Sequence, residues 1–407
     1  QWDFPQAMRE IIDNPIDAQA ENIHVKFPSK IGRKSEVEQG TPIMVLDDGC
    51  GMTLDELVSA VKGVGCGVTQ KGNSDAGIFH IGLKGSIASL GEMGIVFSKC
   101  PDTNTWSVCQ LIVDTLKVIP ILKNGSFEDL LNTLSTFKIN GNLKQVSNWF
   151  NYYESGTGVL IFQPKGEHPH ITWHTDTDYP KLISSVKRTI TQIYSLRLKS
   201  DTNLKIDVEK DNNIQRFAHD EDGVQDIFYE GMKDPSGELD GTMMSEKTIQ
   251  VTGVSKDGTM GKYPMTVKGY FLPDHKVLEN NSQNLFGTDK LPSICFDQKN
   301  YGGKKTGAWG LYLFTNNIMI NDKPVVGNFF GWEYWYPRVR FQVHISKEHI
   351  PLYVNWGNKS KTRIDDDSNA PRLKPLYETV NEIVDGFKEE VNKLGRKKPL
   401  IKRISQE

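Results

Sequence analysis

The sequence predicts a mixed α/β protein in two domains, and three observations predict it. Helical and strand periodicities alternate through roughly the first 200 residues, long strands joined by polar turns take over from Asn203, and 407 residues suffice for two separate cores. The expected boundary divides residues 1–200 from residues 201–407.

The formal charge of −3 excludes a uniformly basic surface but leaves room for a local basic patch. The five cysteines, Cys50, Cys66, Cys100, Cys109 and Cys295, are odd in number and lack CxxC spacing. That pattern favours a reducing compartment over a disulfide framework or a structural zinc site. There is no run of about twenty apolar residues and no signal-peptide pattern, so a soluble intracellular protein without a membrane partner is expected. The opening Gln1-Trp2-Asp3-Phe4, with no initiator methionine, is the pattern of a fragment.

The first element is a helix around Arg9 to Ala18. At about 100° per residue Glu10, Asn14 and Asp17 share one side, while Met8, Ile11, Ile12 and Ala18 share the other. A carboxylate and a carboxamide one turn apart can activate a water and hold a hard cation through oxygen. An ordinary amphipathic helix with a solvated acidic face would read the same way.

Asn22 to Phe27 alternates apolar and polar like a half-buried strand, and residues 28–40 read as a polar loop. Thr41 to Leu46 is nearly all apolar, as an inner strand should be, and it ends in Asp47-Asp48-Gly49-Cys50-Gly51-Met52. An acidic group before two glycines suits close approach to a flat ligand, with Asp47 accepting from an exocyclic amine; a plain Asp-Gly turn is the alternative. Thr53-Leu54-Asp55-Glu56 is a capping box that starts a helix at Leu54, with Leu54, Leu57, Val58 and Val61 as its buried stripe.

Gly63, Gly65, Gly67, Gly72, Gly77, Gly82 and Gly85 follow, and this loop feeds a helix start at Ile87 to Leu90. Such a loop can turn several N–H groups on one anion, with Lys84 adding a cation, although many glycine-rich loops are only connections. Ile95 to Phe97, Trp106 to Ile112 and Gly156 to Phe162 read as strands, the last with the Thr157 hydroxyl at its entry. Residues 124–150 look like a polar insertion with weak helical pattern, and Leu182, Val186, Ile190 and Ile193 mark a helix over residues 181–197.

Beyond it, strands are expected at Leu204 to Val208, Thr248 to Val254, Pro264 to Leu272, Trp309 to Ile320 and Val339 to Ile345. A loop is expected over about residues 274–306, and another from Asn355 to Lys361. A helix from Lys374 to Leu394 ends in a basic run, Arg396-Lys397-Lys398 and Lys402-Arg403, of the kind usually found as a solvated tail.

The order and spacing of Glu10-x-x-Asp13-Asn14-x-x-Asp17-Ala18, Asp47-x-Gly49-x-Gly51-Met52, Gly77 to Ser86 and Gly156-Thr157 resemble the four motifs of the GHKL ATPase superfamily, over roughly the first 200 residues. Within it the chain is most similar to the MORC proteins. That likeness is carried by Gly82-Leu83-Lys84, Leu90-Gly91 and Ile95 to Lys99, and further on by Trp309 to Asn317, Lys323-Pro324, Gly327 and Asn358-Lys359.

The resemblance implies an α+β sandwich: a Bergerat-type domain, with a mostly antiparallel sheet covered by helices on one face, followed by a transducer-like α/β domain. It implies a Mg²⁺-dependent ATPase in which Glu10 is the general base and Asn14 the Mg²⁺ ligand. Asp47, Gly49, Gly51, Met52 and Thr157 would form the adenine side. Gly77, Gly82, Leu83 and Lys84 would hold phosphates, and Lys359 would reach the γ-phosphate.

For function the resemblance implies an ATP-induced homodimeric clamp acting on DNA or chromatin, with compaction or silencing as outcome, in the nucleus of a eukaryote or otherwise the cytoplasm. A nucleotide-binding scaffold, or another GHKL machine such as a chaperone or DNA-repair clamp, is the alternative. Two departures stand out. Pro15 follows Asn14 inside a helix, where a kink is expected. His80 stands where MORC proteins have glycine.

Overall fold

In the computed structural model the described residues are 3–29, 41–62, 82–100, 102–137, 139, 142–162, 167–168, 171–172, 178–219, 228, 243–255, 259–271, 310–320, 339–345, 349–351 and 374–395. Gly77, His80, Lys323, Gly327 and Lys359, the loops expected over residues 274–306 and 355–361, and the basic terminus lie outside them. The chain divides into two compact units, residues 1–191 with 198–224, and residues 192–197 with 225–407.

The first unit is built on an eight-stranded sheet. In chain order its strands are β1 (Asn22–Phe27), β2 (Ile43–Asp47), β3 (Met93–Cys100), β4 (Thr105–Ile112), β5 (Lys117–Gly125), β6 (Gly156–Phe162), β9 (Lys205–Lys210) and β10 (Asn213–Phe217). They lie in the order β10-β9-β1-β2-β6-β3-β4-β5, and every neighbouring pair is antiparallel except the parallel pair β1 and β9. A separate short hairpin joins β7 (Glu167–His168) to β8 (Ile171–Thr172). The first unit thus runs past residue 200: the strand expected at Leu204 to Val208 pairs beside β1, and β10 follows it.

Side chains alternate between the two faces of each strand. On one face Ile43, Val45 and Asp47 of β2 stand opposite Ile161, Val159 and Thr157 of β6, which stand opposite Gly94, Val96 and Ser98 of β3. Helices α1 (Phe4–Asp17), α2 (Leu54–Lys62) and α3 (Gly82–Leu90) cover this face. Buried Ile87 of α3 packs on Gly94, where a Cβ would meet its Cγ2 at 2.6 Å.

Helix α1 is N-capped by Asp3, whose Oδ1 accepts from the Gln6 amide at 2.9 Å. It runs unbroken across the buried Pro15, so the missing amide is tolerated within the helix. The expected capping box of α2 forms, with Glu56 Oε2 accepting from the Thr53 amide at 2.8 Å and Thr53 Oγ1 from the Glu56 amide at 3.4 Å. Leu57 and Val61 are buried, whereas Leu54 and Val58 are only half-buried.

The opposite face is not bare. Residues 124–150, expected as a polar insertion, finish β5 and then form α4 (Phe127–Ser135) and most of α5 (Asn142–Tyr152). Leu130 and Leu134 of α4 and Val146 and Phe150 of α5 close a core with Met44, Leu46, Ile95, Phe97, Trp106, Val108, Leu160 and Phe162. Helix α4 has a reciprocal capping box between Ser126 and Asp129, with aspartate doing what glutamate more commonly does.

A polar network ties α5 to the sheet. Lys26 Nζ bonds Glu209 Oε1 at 2.9 Å and Gln145 Oε1 at 2.7 Å, and the His24 ring meets Glu209 at 2.9 Å and Gln145 at 2.7 Å. Burial pulls the His24 pKa below its usual value, with the Glu209 and Asp207 carboxylates opposing the shift. Helix α6 (Asp178–Ile193) is joined to the end of β1 by the Tyr179 hydroxyl, which donates to Pro28 O at 2.6 Å, and α7 (Ser195–Ser200) follows.

The second unit has a six-stranded sheet in the order β14-β13-β15-β12-β11-β16. Its strands are β11 (Met243–Ser255), β12 (Met260–Phe271), β13 (Gly310–Thr315), β14 (Ile318–Met319), β15 (Val339–His344) and β16 (His349–Pro351). The run expected as one strand to Ile320 folds back at Asn316 and Asn317, both with positive φ, as a two-residue hairpin turn requires. Helix α8 (Lys374–Gly395) packs Leu376, Val380, Ile383, Val384 and Phe387 on Val251, Met265, Val267, Phe271, Phe341 and Val343. Among the described residues no helix is long and apolar enough to cross a membrane.

Trp106 contacts the rings of Phe97, Phe127 and Phe150 beneath α4 and α5. Trp106→Ala should lower unfolding free energy by about 3–5 kcal/mol in urea titrations. Ser126→Ala, which removes only an exposed helix cap, should cost about 1 kcal/mol in the same assay.

Candidate functional site

The apolar rows of the covered face end in a polar one. Asp47, Thr157, Ser98 and Ser107 stand side by side on β2, β6, β3 and β4, and all four are buried. Strand alternation places Asp47 on the face of α1, and the next residue does different work. Asp48 accepts from the amides of Glu21 and Asn22 at 2.9 and 2.8 Å and from Asn22 Nδ2 at 2.7 Å, fixing the start of β1.

Asp47 is held by one oxygen. Its Oδ1 accepts from the Gly49 amide at 2.9 Å and the Thr157 amide at 3.2 Å, and Oδ2 takes no hydrogen bond among the described residues. Burial pushes the carboxyl up to about 7; the two amides oppose the rise and the Asp48 charge adds to it. The main chain of Asp47 is held too, since the Trp149 indole of α5 donates to its carbonyl at 3.4 Å. Gly156, at φ +137°, passes so close that a Cβ there would lie 2.0 Å from Asp47 O, a place only glycine can take.

Helix α1 borders the site along its length. At its C-terminal end Ala18 O accepts from the Cys50 amide at 3.0 Å, and a Cβ on Gly49 would meet Ala18 Cβ at 2.7 Å. Near its middle Glu10 faces the first turn of α3, where a Cβ on Gly82 would lie 2.8 Å from Glu10 Oε2. Eight residues of helix separate Glu10 from Ala18, about 12 Å of rise. Asn14 lies between them, and its Nδ2 is buried without a hydrogen-bond partner among the described residues. The orphaned Nδ2 is a donor that suits a phosphate oxygen, and the other end of the same carboxamide, Oδ1, is of the oxygen type that Mg²⁺ takes alongside water and phosphate.

Glu10, Asn14, Asp47, Gly49, Thr157 and Gly82 therefore lie along one helix and the ends of two inner strands. Gly82, Leu83 and Lys84 are not loop, as expected, but the first turn of α3, which begins five residues before Ile87. The Leu83 side chain is buried, and Lys84 Nζ bonds Lys62 O, the last carbonyl of α2, at 3.4 Å. Gly51 has φ +67°, and the Met52 amide donates to Ser98 Oγ at 2.8 Å.

Sequence reasoning missed Ser98, Trp149 and Ser155, whose hydroxyl donates to Gly49 O at 2.9 Å. For Ser98 a signal existed: it is a polar residue on the inward face of an apolar strand. Trp149 and Ser155 carried none.

Comparison with known proteins agrees with the first unit. Residues 2–139 match the family model described as "Histidine kinase-, DNA gyrase B-, and HSP90-like ATPase", which supports a GHKL-type ATPase domain here. Among solved structures, one described as the N-terminal domain of a DNA repair protein is similar at 13% identity with a TM-score of 0.44, over 94% of this chain and 93% of that one. No curated protein matches the chain.

The folded chain keeps a proton on Asp47 up to about pH 7, while the unfolded chain releases it near the ordinary carboxylate value of about 4. The native state binds more protons across that window, so stability falls as pH rises through it, by up to about 4 kcal/mol. Asp47→Asn should flatten this part of the curve in urea titrations at a series of pH values. An unchanged decline in the variant would assign it to another group.

Proposed function

We propose that the chain is a Mg²⁺-dependent ATPase, with the nucleotide lying along α1 between the Asp47 row and the start of α3. The observation that carries this is the shared helix. Its C-terminal end touches the glycine turn beside a buried acceptor, and its middle sets a carboxylate against a helix N-terminus. The separation suits an extended triphosphate, and the family match over residues 2–139 supports the same reading.

In this reading Asp47 binds the base as the carboxylate, with Oδ2 accepting from the adenine amine. The α3 amides at Gly82 and Leu83 hold phosphate at the positive end of the helix. Asn14 would hold Mg²⁺ through its carboxamide oxygen, which would neutralise phosphate charge. Glu10 takes the proton from the attacking water. Lys84 would exchange the Lys62 carbonyl for phosphate. Gly77 and Lys359 are assigned to phosphate by the MORC resemblance alone.

On that resemblance we infer a dimerising clamp of MORC type that closes on ATP, acts on DNA or chromatin and reopens after slow hydrolysis. Differential affinity of nucleotide for the closed state would supply the switch.

Glu10→Ala should keep ATP binding while lowering phosphate release about 100-fold or more, and should accumulate the dimer in sizing experiments with ATP. Asn14→Ala should lose the Mg²⁺ dependence of binding. Normal turnover by Glu10→Ala would remove Glu10 from the base role. DNA retention should weaken steeply between about 50 and 200 mM salt; salt-independent retention, or none with ATP, would overturn the clamp reading.

A further inference from the structure

Ser98 is fully buried, and its one hydroxyl meets three groups from two segments of the site floor. Its Oγ accepts from the Met52 amide at 2.8 Å, lies 2.9 Å from Thr157 Oγ1, and donates to Gly156 O at 3.1 Å. These partners come from the glycine turn after β2 and from the entry of β6, the two segments that also grip Asp47 Oδ1 through Gly49 and Thr157.

A serine hydroxyl has one proton and two lone pairs. With the Met52 amide on one lone pair, the proton serves either Gly156 O or Thr157 Oγ1. In the first case the Thr157 proton turns back onto Ser98; in the second it is released toward whatever lies over the polar row. The side chain at position 98 must therefore accept and donate at once, in a place closed to water.

We propose that Ser98 is a positioning residue for the nucleobase: its hydroxyl sets the Thr157 hydroxyl and the Met52 turn beside Asp47, and it has no part in holding the triphosphate. The proposal rests on the ATP reading above. It separates the two ends of the site, because Ser98 touches the Asp47 row, whereas Glu10, near the middle of α1, faces Gly82 at the start of α3.

The test is equilibrium binding to the full chain, with Mg²⁺, of ATP and of inorganic triphosphate. Ser98→Ala should weaken ATP about tenfold, the loss of one buried hydrogen-bonded group, and leave inorganic triphosphate unchanged. Ser98→Cys, which keeps the volume but bonds weakly, should follow Ser98→Ala and serves in its place if the alanine variant fails to fold. Thr157→Val combined with Ser98→Ala should cost less than the two single losses together, because both act through one contact.

ATP affinity unchanged in both Ser98 variants, wild-type affinity restored by cysteine alone, equal losses for both ligands, or additive losses in the double variant would each overturn the proposal while leaving the ATP reading standing. Wild-type chain that binds inorganic triphosphate but shows no gain from the adenosine part would overturn both.

Discussion

The site depends on one carboxyl group held on a sheet that would rather bury hydrocarbon. Asp47 sits at the end of the strand that is otherwise Ile43, Met44, Val45 and Leu46, all buried. Burial there favours the protonated carboxyl, and the two amides that converge on Oδ1 only partly offset it while leaving Oδ2 without a hydrogen bond among the described residues. Those amides are placed by the positive φ of Gly156, the contact of Gly49 with Ala18 and the register of β2 on β6. From the other side of the sheet Trp149 takes the Asp47 carbonyl. The side chain and the main chain of Asp47 are thus held from opposite layers of the sheet.

The cost of that arrangement falls on stability, and the surroundings show where it is offset. Behind Asp47 the core of Phe97, Trp106, Phe150 and Leu160 is dense in aromatic and branched side chains. The Lys26, His24, Glu209 and Gln145 network fastens α5, and with it Trp149, to β1 and β9. The row of Asp47, Thr157, Ser98 and Ser107 lies on one face, and this aromatic core with its polar network lies on the other. Functional sites are where sequences depart from the rule that buried positions be apolar.

That division explains what the sequence made legible. The inner strand and the α2 cap follow from local periodicity and capping, and they formed as expected; α1 buries Met8, Ile11 and Ile12 as expected, whereas Ala18, expected beside them, is half-buried against Gly49 on the side of the site. The separate tasks of Asp47 and Asp48 were invisible, because only the sheet decides which neighbour faces the helices. Residues 124–150 were underrated because α4 and α5 expose much of their surface, and Asp129 is a less familiar partner in a capping box. The start of α3 at Gly82 was missed because glycine argues against helix by propensity, whereas here the absent side chain makes room for Glu10. Strands β9 and β10 were credited to the wrong half of the chain because parallel pairing with β1 joins residues nearly two hundred positions apart, and no local signal reports that.

The pairing of β9 with β1 bears on how this molecule can be dissected. The stretch that matches the ATPase family model stops at residue 139, ahead of β6, which lies between β2 and β3 and brings Thr157 to Asp47. A piece cut there would lose a central strand, and one cut after α7 would still leave the edge of β1 open, with the Glu209 side of its polar network missing. A piece that keeps the Asp47 row within the whole eight-stranded sheet must therefore carry its chain through Phe217, well beyond residue 139.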